Sequence, residues 1–382
     1  MLTIDVVQGP EEWRHLVCLW QEAGCSDKEA QLLAARHAAV AVSLSGSVSD
    51  EFTEHATREG LVVWRSGTST HLTGSVAALQ ALLMRWPTSA ESRLAEELAA
   101  AFGVPWCSGQ GTLQAKAPLL MGILNTTPDS FSDGGSFTSV EQAVARALEM
   151  VAQGADIVDV GGESTRPGSG GVSVDEEMRR VVPAIRAIRA KTDVLISVDT
   201  YKPQVAEQAL AAGADWINDI SGLSDPAMLA VAAQTQAPVV VMHMQGTPRT
   251  MQQEPHYKEV VAEVVTWLED ICRRAQEAGL SRQQLIVDPG IGFGKTTVHS
   301  LELLRRLRDL RTLGYPVLVG TSRKSVIGHV LGLPVGERLE GTASTVAVAV
   351  WEGADVIRVH DVKAMRRVID MTQAIRLGRC IR

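Results

Sequence analysis

The stretch Val194-Leu-Ile-Ser-Val-Asp-Thr-Tyr-Lys-Pro-Gln-Val-Ala-Glu-Gln-Ala-Leu-Ala-Ala-Gly-Ala-Asp-Trp-Ile-Asn-Asp-Ile220 decides the fold. It opens with a short apolar run, Val194–Val198, of the kind that suits a strand covered on both faces. A helical pattern follows, starting at Pro203 and stopping before Gly213, the start-and-stop asymmetry of a helix. A second apolar run, Trp216–Ile220, completes a strand–helix–strand unit.

The same rhythm extends in both directions. Apolar runs recur at Leu119–Leu124, Asp156–Val160, Pro238–Met242, Leu285–Val287, Pro316–Val319 and Val356–Val359, which makes eight with the two above. Helical patterns at Val140–Gln153, Val260–Ala278, Leu301–Leu313 and Leu339–Glu352 each stop at a glycine (Gly154, Gly279, Gly314 and Gly353) where a C-cap is expected. Eight such units from residue 119 onward predict a (β/α)8 TIM barrel, whose usual size is about 250 residues. A doubly wound open sheet is the competing architecture, but the first strand is not followed by a G-x-G-x-x-G loop.

The first 110 residues read differently. Ser26-Asp-Lys-Glu29 has the form of a capping box opening a helix to Ala39. Strands are expected at Val40–Leu44 and Leu61–Trp64, with a helix at about Asp50–Arg58 between them. Two more helices are expected at Val76–Trp86 and Glu91–Ala101. The organisation predicted is a small α+β N-terminal module over 1–110, a linker over 111–118 within the Gly- and Pro-containing stretch Gly103–Pro118, and the barrel over 119–382.

Bulk properties exclude several classes. Of 382 residues, 45% are hydrophobic and 21% charged, as in ordinary globular proteins. A net charge of -8 argues against general nucleic-acid binding, so an anionic substrate needs a local cluster of cations. No segment has the length and apolarity of a membrane span or a signal peptide. Cys18, Cys25, Cys107, Cys272 and Cys380 are scattered and form no C-x-x-C pair, which fits reduced thiols in a cytoplasmic protein and gives zinc no site.

In a TIM barrel the chemistry sits at the C-terminal ends of the strands. All eight ends here carry polar or ionisable groups. They are Asn125 through Asp133, Glu163-Ser-Thr165-Arg166-Pro167, Asp199, Asn218-Asp219, His243, Asp288 through Lys295, Ser322-Arg-Lys324-Ser325, and Arg358-Val-His360-Asp361. A single Asp after a strand is ordinarily a turn or helix cap, and Asp219 and Asp361 are read that way. Eight coincident cases on one rim point to a site.

By residue type, Asp199, Asn218 and Asp288 offer acceptors and an amide to a flat heterocycle with ring N–H and amino donors, such as a guanine-like or pterin edge. Arg166, Lys324, Arg358 and His360 suit a phosphate or pyrophosphate. Asn125 and Asp133 suit a Mg2+ that shares the phosphate oxygens. Gly294-Lys-Thr296 is not a P-loop, because the spacing would need glycine where Pro289 stands. His243 and His256 lack metal-ligand partners at suitable spacing and read as structural.

These segments resemble the dihydropteroate synthase family. Met121-Gly-Ile-Leu-Asn-Thr-Thr-Pro-Asp-Ser-Phe-Ser-Asp-Gly-Gly135 is similar to the family's first signature, and Ala155-Asp-Ile-Val-Asp-Val-Gly-Gly-Glu-Ser-Thr-Arg-Pro-Gly168 to its second. Ser197 to Lys202, Asp288 to Lys295, Ser322 to Ser325 and Arg358 to Val362 also match. The resemblance spans about 119–377 and leaves out the N-terminal module.

It implies pterin binding by Asp199, Asn218, Asp288, Lys324 and Met242, and pyrophosphate binding by Asn125, Arg358 and His360 with Mg2+. p-Aminobenzoate would lie among Thr165, Arg166, Pro167, Phe293 and Ser325. Phe131 and Asp133 would sit on a loop that closes over the site. Asp199, Lys324, Arg358 and His360 would carry the chemistry, in a cytoplasmic homodimer. A pterin-dependent methyltransferase would not need the Asn125–Gly135 loop, Arg166 or Ser322–Ser325. A catalytically silent pterin-binding partner would have lost loop residues, and none is lost.

Overall fold

The structure is a computed structural model, and it describes residues 3–7, 40–45, 50–58, 61–66, 69–74, 107–108, 111–112, 118–126, 139–164, 171–313 and 315–377. The chain divides into two compact units, Met1–Pro105 and Trp106–Arg382.

The eight apolar runs of the second unit are strands: β1 Leu119–Asn125, β2 Ile157–Gly161, β3 Leu195–Asp199, β4 Trp216–Asp219, β5 Val239–Met242, β6 Leu285–Asp288, β7 Leu318–Val319 and β8 Val356–Val359. They form one parallel sheet in the order β6-β5-β4-β3-β2-β1-β8-β7. A parallel bridge between Val287 and Val317 brings β6 back to β7, with the Val287 N–H donating to Pro316 O over 2.8 Å. The sheet thus curls into the expected TIM barrel.

The helices that cover it are α1 Ser139–Ala152, α2 Val174–Arg189, α3 Pro203–Ala211, α4 Pro226–Thr235, α5 Val260–Glu277, α6 Thr297–Arg305, α7 Ser325–Leu331, α8 Leu339–Trp351 and α9 Val362–Leu377. Four of these, α2, α4, α7 and α9, were not delimited from sequence. In α2, Pro183 interrupts the pattern. In α4, the run Pro-Ala-Met-Leu-Ala-Val-Ala-Ala has too little polar contrast to mark a face. The single helix expected over Leu301–Leu313 is two elements. The Thr296 hydroxyl accepts from His299 N, so α6 starts earlier, and a 3-10 turn over Leu307–Leu313 follows it.

Period-two alternation sorts the strand residues. Leu120 and Leu124, Val158 and Val160, Ile196 and Val198, Val239 and Val241, Leu285 and Val287, and Ile357 and Val359 pack with helix side chains such as Ala143, Ile185, Ala209 and Leu268 in one core. The other parity points into the barrel. Its lower level is apolar: Met121, Ile157, Leu195, Trp216, Val240, Ile286, Leu318 and Val356 are all buried. Its upper level is polar, with Asn125, Asp159, Asp199, Asn218, Asp288 and Arg358. The fold therefore sets one polar layer on top of an apolar plug.

In the first unit, the strands Thr3–Val7, Val40–Ser45, Ser69–Gly74 and Val62–Ser66 lie in that order in an antiparallel sheet. A helix spans Asp50–Arg58 and buries Phe52 and Ala56. The helices expected at 26–39, 76–86 and 91–101 lie outside the described residues. So does most of 103–118, apart from Cys107–Ser108 paired with Gly111–Thr112.

Candidate active site

The polar layer is built around one guanidinium. Arg358, inward-facing on β8, donates from Nε to Asp159 Oδ2 and from Nη2 to Asp199 Oδ2, each over 2.6 Å. Burial alone would lower the pKa of Arg358, but the Asp159 and Asp199 carboxylates outweigh it and hold the group above its ordinary value. Asn218 on β4 donates to the same Asp159 oxygen at 3.1 Å. Asp159, Asn218, Asp199 and Arg358, from four strands, therefore form one hydrogen-bonded group.

Asp159 is the residue the sequence analysis missed. It sits in the middle of β2, fully buried. A carboxylate inside an otherwise apolar strand was the available signal, since such a charge is kept only with partners.

Two carboxylates share one cation here, and the excess negative charge falls on Asp199. Burial raises its pKa to about 7; Arg358 pulls against that shift and Asp159 adds to it. Asp159 Oδ1 and Asp199 Oδ1 are buried and accept no hydrogen bond among the described residues. Buried acceptors of this kind want N–H partners, which a heterocycle edge supplies.

A second charged pair faces them. Asp288 ends β6 beside Met242 of β5 in register, and its Oδ1 accepts from Gly290 N at 2.7 Å. Burial raises the Asp288 pKa, and Lys324 and the Gly290 bond offset part of the rise. Burial lowers the Lys324 ammonium to about 8, with the Asp288 charge opposing the shift. Lys324 Nζ donates to Ile291 O at 2.5 Å and stands 4.6 Å from the Phe293 ring centroid. Ser325 follows at the exposed start of α7. His360 is oriented by Ser322 Oγ, which lies 3.0 Å from Nδ1 and 3.1 Å from the His360 N–H.

Asn125 ends β1 opposite Gly161, and a methyl group on Gly161 would lie 3.4 Å from Asp199 Cβ and 3.8 Å from Asn125 Oδ1. Glycine there keeps Asn125 and Asp199 open to one space. Phe131, Asp133, Thr165, Arg166 and Pro167 lie outside the described residues. The described root of the second loop is firmly held. Glu163 and Glu177 both pair with Lys202, which also donates to Val172 O at 2.8 Å, and Tyr201 Oη donates to Glu163.

Asp219 is the turn residue expected, accepting from Ser221 N at 2.7 Å and Leu223 N at 2.8 Å. The Asp361 carboxylate instead takes a bidentate pair of bonds from Arg323. His243, buried just past β5, lies 2.9 Å from Lys295 Nζ through its Nδ1.

Comparison with known proteins agrees with this geometry. Residues 121–360 match the pterin-binding enzyme family. The dihydropteroate synthase of Escherichia coli strain K12 is 48% identical over 266 residues, covering 69% of this chain and 94% of that protein. The dihydropteroate synthase of Bacillus subtilis is 48% identical over 258 residues, 67% of this chain and 88% of that one. Among solved structures, Yersinia pestis dihydropteroate synthase in complex with a sulfonamide drug aligns with a TM-score of 0.68 at 42% identity, covering 71% of this chain and 98% of that one. Xanthomonas albilineans dihydropteroate synthase with 4-aminobenzoic acid gives 0.67 at 45% identity, covering 70% and 96%. With its two signature segments, its barrel and these relatives, the chain belongs to the dihydropteroate synthases of the pterin-binding enzyme family.

Proposed function

We propose that this enzyme, a transferase, condenses 6-hydroxymethyl-7,8-dihydropterin pyrophosphate with p-aminobenzoate to give 7,8-dihydropteroate and pyrophosphate. The observation that carries the proposal is the inward-facing layer in which Arg358 joins Asp159 and Asp199, with Asp288 and Lys324 beside them.

Asp199, Asn218, Asp288 and Lys324 hold the pterin over Met242. The unpartnered Asp199 oxygen accepts a ring N–H. Arg358 and His360 face the pyrophosphate with Asn125. The C–O bond to pyrophosphate breaks first and the electron pair leaves with the phosphate oxygen. The remaining pterin methylene is cationic, and the buried carboxylates lower its energy in a site where charges are poorly screened. The arylamine nitrogen, neutral near pH 7, then forms the C–N bond and releases its proton. Thr165, Arg166, Pro167, Phe293 and Ser325 surround p-aminobenzoate, and the loop with Phe131 and Asp133 closes over the reacting groups.

Asn125 fits Mg2+. A neutral amide oxygen beside a pyrophosphate subsite is a hard donor, and Mg2+ usually takes few protein ligands and several phosphate oxygens. Asn125 and Asp133 would hold the ion, which would supply charge neutralisation at the leaving group.

We also read the enzyme as a cytoplasmic homodimer. Val298, Val330 and Trp351 on α6, α7 and α8 are 72%, 56% and 47% exposed, more apolar surface than a solvated helix face needs. The buried free thiol of Cys272 suits a reducing compartment.

The test is pyrophosphate release from the pterin substrate with Mg2+, with and without p-aminobenzoate. Release coupled to dihydropteroate formation supports the proposal. Pterin binding without release would support the silent-partner alternative.

A further inference from the structure

The loop between β6 and α6 is held in an unusual way. Four successive carbonyls are each captured by a different side chain. Ile291 O accepts from Lys324 Nζ at 2.5 Å, Gly292 O from Gln252 Nε2 at 2.7 Å, Phe293 O from Lys295 Nζ at 3.0 Å, and Gly294 O from Tyr257 Oη at 2.8 Å. A surface loop ordinarily leaves such carbonyls to water. Capturing all four fixes the peptide planes around Phe293, and so the direction in which its side chain leaves the backbone.

Lys295 is the centre of this arrangement. It is 3% exposed, and its ammonium also contacts His243 Nδ1 at 2.9 Å and His243 O at 3.2 Å. Burial lowers the Lys295 pKa to about 7 against the pull of Asp288, and in the protonated form its three N–H donors meet these three acceptors. His243 serves as acceptor because burial, reinforced by Lys295, lowers its pKa to about 3 and keeps it neutral. The loop backbone lies directly against β5's exit. A methyl on Gly290 would fall 2.0 Å from His243 O, and one on Gly294 would fall 2.4 Å from Gln245 O, so both positions require glycine. Phe293 is then fixed between this clamp and the Lys324 ammonium, 4.6 Å from its ring.

We infer that Lys295 and Tyr257 are positioning residues for the arylamine substrate, acting through the carbonyls of Phe293 and Gly294 to hold the Phe293 ring where p-aminobenzoate packs. The inference rests on the proposed role of Phe293 as a wall of that subsite. Neither residue touches the pterin-holding Asp199, Asn218 or Asp288 by a hydrogen bond. The Lys295 charge does act on Asp288, so Tyr257 is the residue whose loss loosens one substrate and not the other.

The experiment is steady-state kinetics on the full-length enzyme, with both substrates varied, for Tyr257→Phe, Lys295→Met and Phe293→Ala. Tyr257→Phe loses one hydrogen bond and should raise KM for p-aminobenzoate about threefold to tenfold, and Lys295→Met, which loses three, should raise it at least as much. In Tyr257→Phe, KM for the pterin pyrophosphate and kcat should stay within about twofold. Tyr257→Phe removes a single hydroxyl, so it carries the test if Lys295→Met does not fold. Equal rises in both KM values, or no rise for p-aminobenzoate, would overturn the inference. Phe293→Ala separates the two layers. If it raises KM for p-aminobenzoate while Tyr257→Phe does not, positioning fails and the subsite stands. If Phe293→Ala changes nothing, the subsite assignment fails and takes the inference with it.

Discussion

At the scale of single residues, the site works by sharing too little positive charge among buried carboxylates. Asp199 is pushed up to about 7 by burial, and Lys324 is pushed down to about 8 by burial. The proposed mechanism needs Asp199 ionised and Lys324 protonated. As pH falls below about 7, Asp199 takes a proton and the cation-stabilising charge is lost. As pH rises above about 8, Lys324 loses its charge. The expected outcome is a bell-shaped kcat/KM for the pterin pyrophosphate, since that parameter reports the free enzyme. An acid limb that persists unchanged in Asp199→Asn would show that another group sets it. In the same variant kcat should fall about 100-fold, more than pterin affinity falls. Equal losses in kcat and in pterin binding would argue against cation stabilisation by Asp199.

At the scale of elements, the strands and the rim were legible in sequence because both follow simple rules. Continuous Val- and Ile-rich runs such as Val194–Val198 can hardly be anything but covered strands. The polar residues after them, from Asp199 to His360, stood out against that apolar background. Asp159 does not stand out in this way because it lies mid-strand, where period-two alternation places it on the same inward face as Gly161. The Lys295 clamp was not legible either. Its partners are backbone carbonyls and a histidine 52 residues away in sequence, and no local pattern encodes such contacts.

The Lys202 cluster is a second such feature, joining the exit of β2 to α2 and α3 through Glu163 and Glu177. Glu177 is 1% exposed, so removing its cation strands a buried charge. Lys202→Met should destabilise the protein by about 3–5 kcal/mol, measured by urea unfolding. A loss under 1 kcal/mol would mean that the cluster is solvated in solution.

At the scale of the whole molecule, the barrel and the first unit are separate problems. The family match runs over residues 121–360, and every residue proposed for chemistry lies in that span. The exposed Val298, Val330 and Trp351 mark the surface proposed for a homodimer. Val330→Glu should shift the sedimentation profile toward monomer, with the barrel's thermal unfolding little changed. A profile identical to the parent, in a parent that does sediment as a dimer, would move the interface elsewhere.

In the proposed reaction this site ionises a pterin pyrophosphate and hands the pterin to an arylamine. The most direct measurement is product analysis for the full-length enzyme supplied with 6-hydroxymethyl-7,8-dihydropterin pyrophosphate, p-aminobenzoate and Mg2+. The expected result is 7,8-dihydropteroate and pyrophosphate in equal amounts, with turnover severely reduced in Asp199→Asn. Tight pterin binding with no dihydropteroate formed would contradict the account.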